Sequence, residues 1–175
     1  MNTKIDCIIG IDPGASGGIT VYRPNNKEVS IKNPKNISDL REYLDYYKGI
    51  SSPLVFLEKV QFHKEDAASG KTFGIEKLVR NFEQLKTTIE VMDIPFILVH
   101  PITWQSRLNI RLKKEEKAAR KKRYKELAQR YYPDLKATMY NCDATLIMHF
   151  GRWALRNDVK WIMENLPQRN HDKLF

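Results

Sequence analysis

Apolar and polar positions change their period several times along the chain, and each change marks an element. "DCIIGID" and "GITVYRP" are β-rich runs separated by a Gly-rich turn, and "KEVSIKN" follows Pro24-Asn25-Asn26. Together they predict a three-stranded antiparallel meander. Residues 38 to 48 place Leu40, Tyr43, Leu44 and Tyr47 on one stripe, a helix with Ser38 as N-cap and an end near Gly49. "PLVFLEKV" is almost continuously apolar, as a strand covered on both faces must be. The polar, Gly-containing "QFHKEDAASGKTFG" then reads as a functional loop.

The strongest helical period comes next, where Ile75, Leu78, Val79, Phe82, Leu85, Ile89 and Met92 recur on one face of a helix from Gly74 to Met92. "PFILVHP" is a short buried strand between two prolines, and "ITWQSRLNIRL" leads into a basic helix from about Lys113 to Tyr132, ended by Pro133. Only the second half of that helix has an apolar stripe. Its first half is polar all round, which suits either a helix end over a ligand or a solvated charged face. A last core helix starts near Asn141 with Ile147, Phe150 and Ala154 inward, and a short helix around Trp161 precedes a polar tail.

The order β-β-β-α-β-α-β-α-α predicts an α/β fold: a mixed five-stranded sheet, part antiparallel meander and part parallel, flanked by helices. The 175 residues suffice for one sizeable core, and no apolar run approaches the roughly 20 residues that span a bilayer, so no membrane partner is expected. The N-terminus reads as a first strand rather than a signal peptide, and Cys7 and Cys142 lack the spacing of a disulfide or zinc framework, which points to the cytoplasm.

Charge narrows the partner. The chain carries a net charge of +9, and between Arg107 and Arg130 eleven basic residues face three acidic ones. A polyanion such as nucleic acid is the partner class this favours. Arg111, Lys113, Lys114, Lys117, Arg120 and Lys121 are the candidate phosphate contacts of that segment.

In sheets of this kind, sites form beyond the carboxyl ends of the parallel strands, and three carboxylates fit that position. Asp12 ends the first strand, on the face shared by Ile8 and Gly10, although Asp-Pro-Gly is also good turn chemistry by itself. Glu58 ends "PLVFLE" on the face of Leu54 and Phe56; a pairing with Lys59 would be the purely structural alternative. Asp143 opens the last helix on the stripe of Ile147 and Phe150, where an acid is also stabilised by the helix dipole. Three convergent carboxylates repel one another unless a cation intervenes. Mg²⁺ favours a few carboxylates with waters and phosphates, and two ions about 4 Å apart can drive in-line phosphodiester hydrolysis. In "IIGIDPGASGG", Gly17 and Gly18 would leave room for a close phosphate backbone.

"IIGIDPGASGGITVY", "VFLEKVQF" and "NCDATLIMHFGRW", in this order, resemble the conserved blocks of RuvC-type Holliday-junction resolvases, especially compact phage-type members, within the ribonuclease H-like superfamily. The resemblance implies a nuclease domain over residues 1–157, followed by a short helix and polar tail over 158–175. It implies catalytic and metal-binding roles for Asp12, Glu58 and Asp143, with two Mg²⁺ or Mn²⁺ ions per site. It further implies a homodimer, with the helix from Gly74 to Met92 in the interface, that nicks branched DNA in the cytoplasm of a bacterium or phage-infected host. Cellular members of that family usually carry a fourth ligand, an aspartate or histidine, three residues before the last aspartate. Here that residue is Tyr140, with Asn141 beside it as an amide-oxygen candidate. Phe62, Lys64 and Lys71 of the loop after Glu58 become candidates for stacking on bases and holding phosphates. An RNA-processing nuclease of related fold and a non-catalytic branched-DNA-binding protein are the alternatives. A sugar-kinase or actin-like ATPase would need a second lobe that a chain of this length lacks.

Overall fold

The computed structural model describes residues 5–24, 29–60 and 72–167. Five strands form one sheet: β1 (Cys7–Asp12), β2 (Gly18–Tyr22), β3 (Val29–Lys32), β4 (Pro53–Glu58) and β5 (Phe96–Val99). Their order is β3-β2-β1-β4-β5, with the first three strands antiparallel and β1, β4 and β5 parallel. Six helices accompany the described strands: α1 (Ile37–Ile50), α2 (Thr72–Val91), α3 (Pro101–Arg107), α4 (Lys117–Tyr131), α5 (Cys142–Asn157) and α6 (Val159–Asn165). The mixed sheet predicted from the periodicity is the sheet observed.

Strand alternation divides the core into two layers. Cys7, Ile9, Ile11, Val55, Leu57 and Phe96 point to one face, where Leu40 and Leu44 of α1 and Phe82, Leu85 and Ile89 of α2 cover them. Ile8, Leu54, Phe56, Ile97 and Val99 point to the other, against Leu146, Ile147 and Phe150 of α5 and Tyr124 and Ala128 of α4. Phe56 and Phe150 meet edge to face with centroids 6.1 Å apart, an arrangement favoured by the ring quadrupoles. Gly10 is the point of closest approach between sheet and helix. A Cβ there would overlap the Ala144 carbonyl oxygen and the Met148 amide nitrogen. The missing side chain is therefore what lets α5 lie directly on β1.

Two boundaries and one short helix differ from the sequence expectation. Helix α1 is capped by Asn36 rather than Ser38, because the Asn36 side chain accepts a hydrogen bond from the Asp39 amide at 2.8 Å. The basic helix begins at Lys117 rather than Lys113. Before it, Lys114 takes a φ of 54°, and Glu115 turns back to accept two hydrogen bonds from Arg123, at 2.8 and 2.6 Å. Helix α3 has no counterpart in the periodicity: its seven residues are too few to show one, although Pro101 at its first position is a recognised start signal.

Candidate active site

The register Ile11↔Leu57 between parallel neighbours brings the next residues, Asp12 and Glu58, side by side at the carboxyl end of the sheet. Asp143 reaches the same place from the first turn of α5, the helix that Gly10 admits onto β1. Asp12 is 9% exposed, and its carboxyl group lies within electrostatic reach of Glu58 and Asp143. Glu58 accepts a hydrogen bond from the indole Nε1 of buried Trp104, at 2.9 Å.

The turn after Asp12 is held from two sides. Asn33 donates its amide to the carbonyl oxygens of Asp12 (2.7 Å) and Gly14 (3.0 Å), while Asn81 of α2 accepts from the Gly14 amide at 2.6 Å. Gly14 itself has a φ of 101°, a conformation that other residues rarely adopt. The space at Gly17 and Gly18 is taken by the protein itself: a Cβ on Gly17 would overlap the Asp12 carbonyl oxygen, and one on Gly18 would lie 2.8 Å from the Ile31 carbonyl oxygen. These glycines close the turn rather than open a path for phosphate.

The electrostatics follow from burial and crowding. Burial raises the Asp12 carboxyl well above its ordinary range, and the charges of Glu58 and Asp143 raise it further. Burial likewise pushes Glu58 up to about 7, against the stabilising indole N–H of Trp104. Into this acidic cluster projects Lys121 of α4, whose ammonium ion-pairs with Asp143 and lies 3.7 Å from Asp12 Oδ2. Burial alone would depress this ammonium, but the carboxylates of Asp143 and Asp12 outweigh it, and its pKa is raised.

Of the residues expected at the site, Asp12, Glu58 and Asp143 come together. Asn141 is buried, with its Oδ1 accepting from the Thr138 amide (2.7 Å) and its Nδ2 donating to the Lys136 carbonyl (3.1 Å), so its side chain braces the loop before α5. Tyr140 is 48% exposed, with the Lys32 ammonium 4.6 Å from its ring centroid. Arg111, Lys113, Lys114 and Lys117 are exposed, and Arg120 is half-buried, while Lys121 turns inward to the carboxylates. Phe62, Lys64 and Lys71 lie outside the described residues. Lys121, Trp104, Asn33 and Asn81 are the site residues whose roles the sequence does not announce; "KK" within a charged helix looks the same whether it faces water or an acid.

The chemistry of the donors suits a hard divalent cation, because the donors are carboxylates, the charges of Glu58 and Asp143 raise Asp12, and burial raises Asp12 and Glu58. Among the described residues no three Asp, Glu, His or Cys side chains are drawn together tightly enough to cage an ion. The Lys121 ammonium brings a positive charge to the cluster.

Sheet order, layers and crossovers define a ribonuclease H-like fold, and within it the arrangement of elements is that of RuvC. RuvC from Thermus thermophilus in complex with a Holliday junction substrate superposes with a TM-score of 0.56 at 12% identity, covering 86% of this chain and 94% of that one. A second Thermus thermophilus RuvC structure gives 0.52 at 13% identity, over 86% and 95% of the two chains. No family model matches the chain, and no curated protein does.

Proposed function

We propose that the protein is a divalent-metal-dependent endonuclease that resolves four-way DNA junctions by paired nicks made within a homodimer. The observation that carries this reading is the convergence of Asp12, Glu58 and Asp143 at one end of the sheet, directly beneath the basic helix α4. The RuvC-like fold over most of the chain supports it, as does the junction bound in one of the similar structures.

In this reading Asp12, Glu58 and Asp143 hold Mg²⁺ or Mn²⁺, two ions per site. Bound metal would supply an activated water and charge stabilisation for the leaving oxygen. The chain's own groups do the rest. Trp104 fixes the rotamer of Glu58, Asn33 and Asn81 hold the turn that aims Asp12, and the exposed basic residues Arg111, Lys113, Lys114 and Lys117, with Arg120 beside them, position phosphates. Asn141 supports the loop through which α5 delivers Asp143. Phe62, Lys64 and Lys71 would meet the junction from the loop after Glu58.

The dimer would form on the sheet face opposite the α5 layer, through α2 and the adjoining end of α1. There a groove of about 440 Å³ is lined by Ile37, Arg41, Arg80, Glu83, Val91 and Met92, and Val91 is 76% exposed. Among the described residues no helix is long and apolar enough to cross a membrane. A substrate of this kind would be met in the cytoplasm of a bacterial cell or phage-infected host.

A competition assay tests the substrate. Labelled four-way junction, linear duplex and structured RNA are offered together with Mg²⁺, and junction cleavage is expected to dominate. Preferential cleavage of RNA would replace the substrate, and binding of junctions without cleavage would reduce the protein to a binding module.

A further inference from the structure

Helix α4 is strongly basic, and most of its lysines are exposed. Lys117 and Lys122, on either side of Lys121, face solvent. Lys121 retains only 21% side-chain exposure and turns inward, its ammonium bonded to Asp143 and 3.7 Å from Asp12 Oδ2. Burying an ammonium is costly unless anions compensate. Here the compensation is mutual, because the carboxylates repel one another while each attracts the lysine. Lys121 thus occupies the position in the cluster that a cation must fill for the acids to ionise together.

We propose that Lys121 is the resident counter-ion of the metal-free site, and that a divalent cation bound between Asp12 and Asp143 displaces its ammonium toward the solvent face of α4, where it meets substrate phosphate. This rests on the metal-centre reading of the three carboxylates given above. A Mg²⁺ ion ligated by Asp143 at about 2.0–2.1 Å competes with the ammonium that already uses Asp143 Oδ2, and two positive charges held so close repel each other. The four-carbon stem of lysine makes the exchange sterically simple, since it swings without moving the backbone. No covalent bond is formed or broken in the exchange; one ion pair is replaced by metal ligation and another by a phosphate contact. Linkage then makes metal and DNA bind cooperatively, each favouring the state with Lys121 released.

Amine labelling tests this directly. The wild-type protein is acylated with limiting acetic anhydride, with and without saturating Mn²⁺, and labelling is read residue by residue by mass spectrometry. Lys121 is expected to label slowly without metal and several-fold faster with it, while Lys117 and Lys122 stay unchanged. Mn²⁺ affinity, measured by electron paramagnetic resonance, is expected to tighten on the order of tenfold in Lys121→Gln and to return to the wild-type value in Lys121→Arg. Lys121 protection that persists with Mn²⁺ bound, or an affinity that is unchanged or weaker in Lys121→Gln, would overturn the exchange and leave the metal site standing. A wild-type protein with no Mn²⁺ site that Asp12→Asn removes would overturn both.

Discussion

The carboxyl groups of Asp12 and Glu58 are both raised by burial. That has a signed consequence for the metal-free protein. Glu58 titrates near 4.5 when unfolded and is raised to about 7 when folded, so its contribution to stability is present below about 4.5 and is lost as pH rises through about 7. His149 acts in the opposite sense. Burial depresses it from 6.5 to about 4, so the protein gains stability as pH rises across that interval. Chemical denaturation of wild type and Glu58→Gln isolates the first effect: wild type is expected to lose stability relative to the variant between about pH 4.5 and 7. Parallel curves would contradict the assignment. The Trp104 indole works against the shift in Glu58, so Trp104→Phe is expected to raise the Glu58 pKa, cost about 1–3 kcal/mol of stability and weaken Mn²⁺ binding at neutral pH. A Mn²⁺ titration at pH 6 and pH 8 reads this as a stronger pH dependence in the variant.

At this scale the three carboxylates are legible in the sequence because each lies on a simple period, two residues in a strand or four in a helix. The residues that position them are silent there. Trp104 is 46 positions from Glu58, and Asn81 is 67 from Gly14, separations at which only the folded chain brings partners together.

Elements show the same division. The strands β1, β2 and β4 and the helices α2 and α5 are legible because each carries a regular apolar pattern that becomes buried, whereas β3 is read from its alternation and the turn before it. The basic helix is legible in composition but not in its boundary, since Lys114 and Glu115 end the preceding turn through backbone conformation and an ion pair rather than through hydrophobicity. Lys113, Lys114 and Lys117 are exposed, as are Arg111, Lys122 and Lys125 of the same region. Replacing Lys113, Lys114 and Lys117 with Gln is expected to weaken junction binding and to lower the slope of log affinity against log salt by about 0.9 for each phosphate no longer neutralised. An unchanged slope in fluorescence anisotropy would move the DNA path away from α4. Gly10→Val addresses the packing of one element on another: its side chain would drive into the backbone of α5, and the loss of cooperative thermal unfolding is the expected result. A variant that melts as wild type would mean that α5 does not rest on β1.

For the whole molecule, the two faces of the sheet are covered by different helices. Helices α3 to α6 and the carboxylates occupy one side; α1 and α2 cover the other, with Val91 and Ile37 exposed on it. If this second face joins two copies, two active sites are held on one scaffold, as symmetric nicking of a four-way junction requires. Val91→Lys combined with Ile37→Lys is expected to shift the protein from dimer to monomer in sedimentation velocity, with folding unchanged. A dimer that survives both changes would place the interface elsewhere.

Asp12, Glu58 and Asp143 are proposed above to form a metal-dependent site that cuts branched DNA. Single-turnover cleavage of a four-way junction, labelled on each strand in turn, tests this most directly when wild type is compared with Asp12→Asn in Mg²⁺ and in EDTA. The expected result is symmetric nicks by wild type in Mg²⁺, none in EDTA, and a loss of at least about 100-fold in Asp12→Asn. Equal cleavage by Asp12→Asn, or cleavage that persists in EDTA, would contradict it.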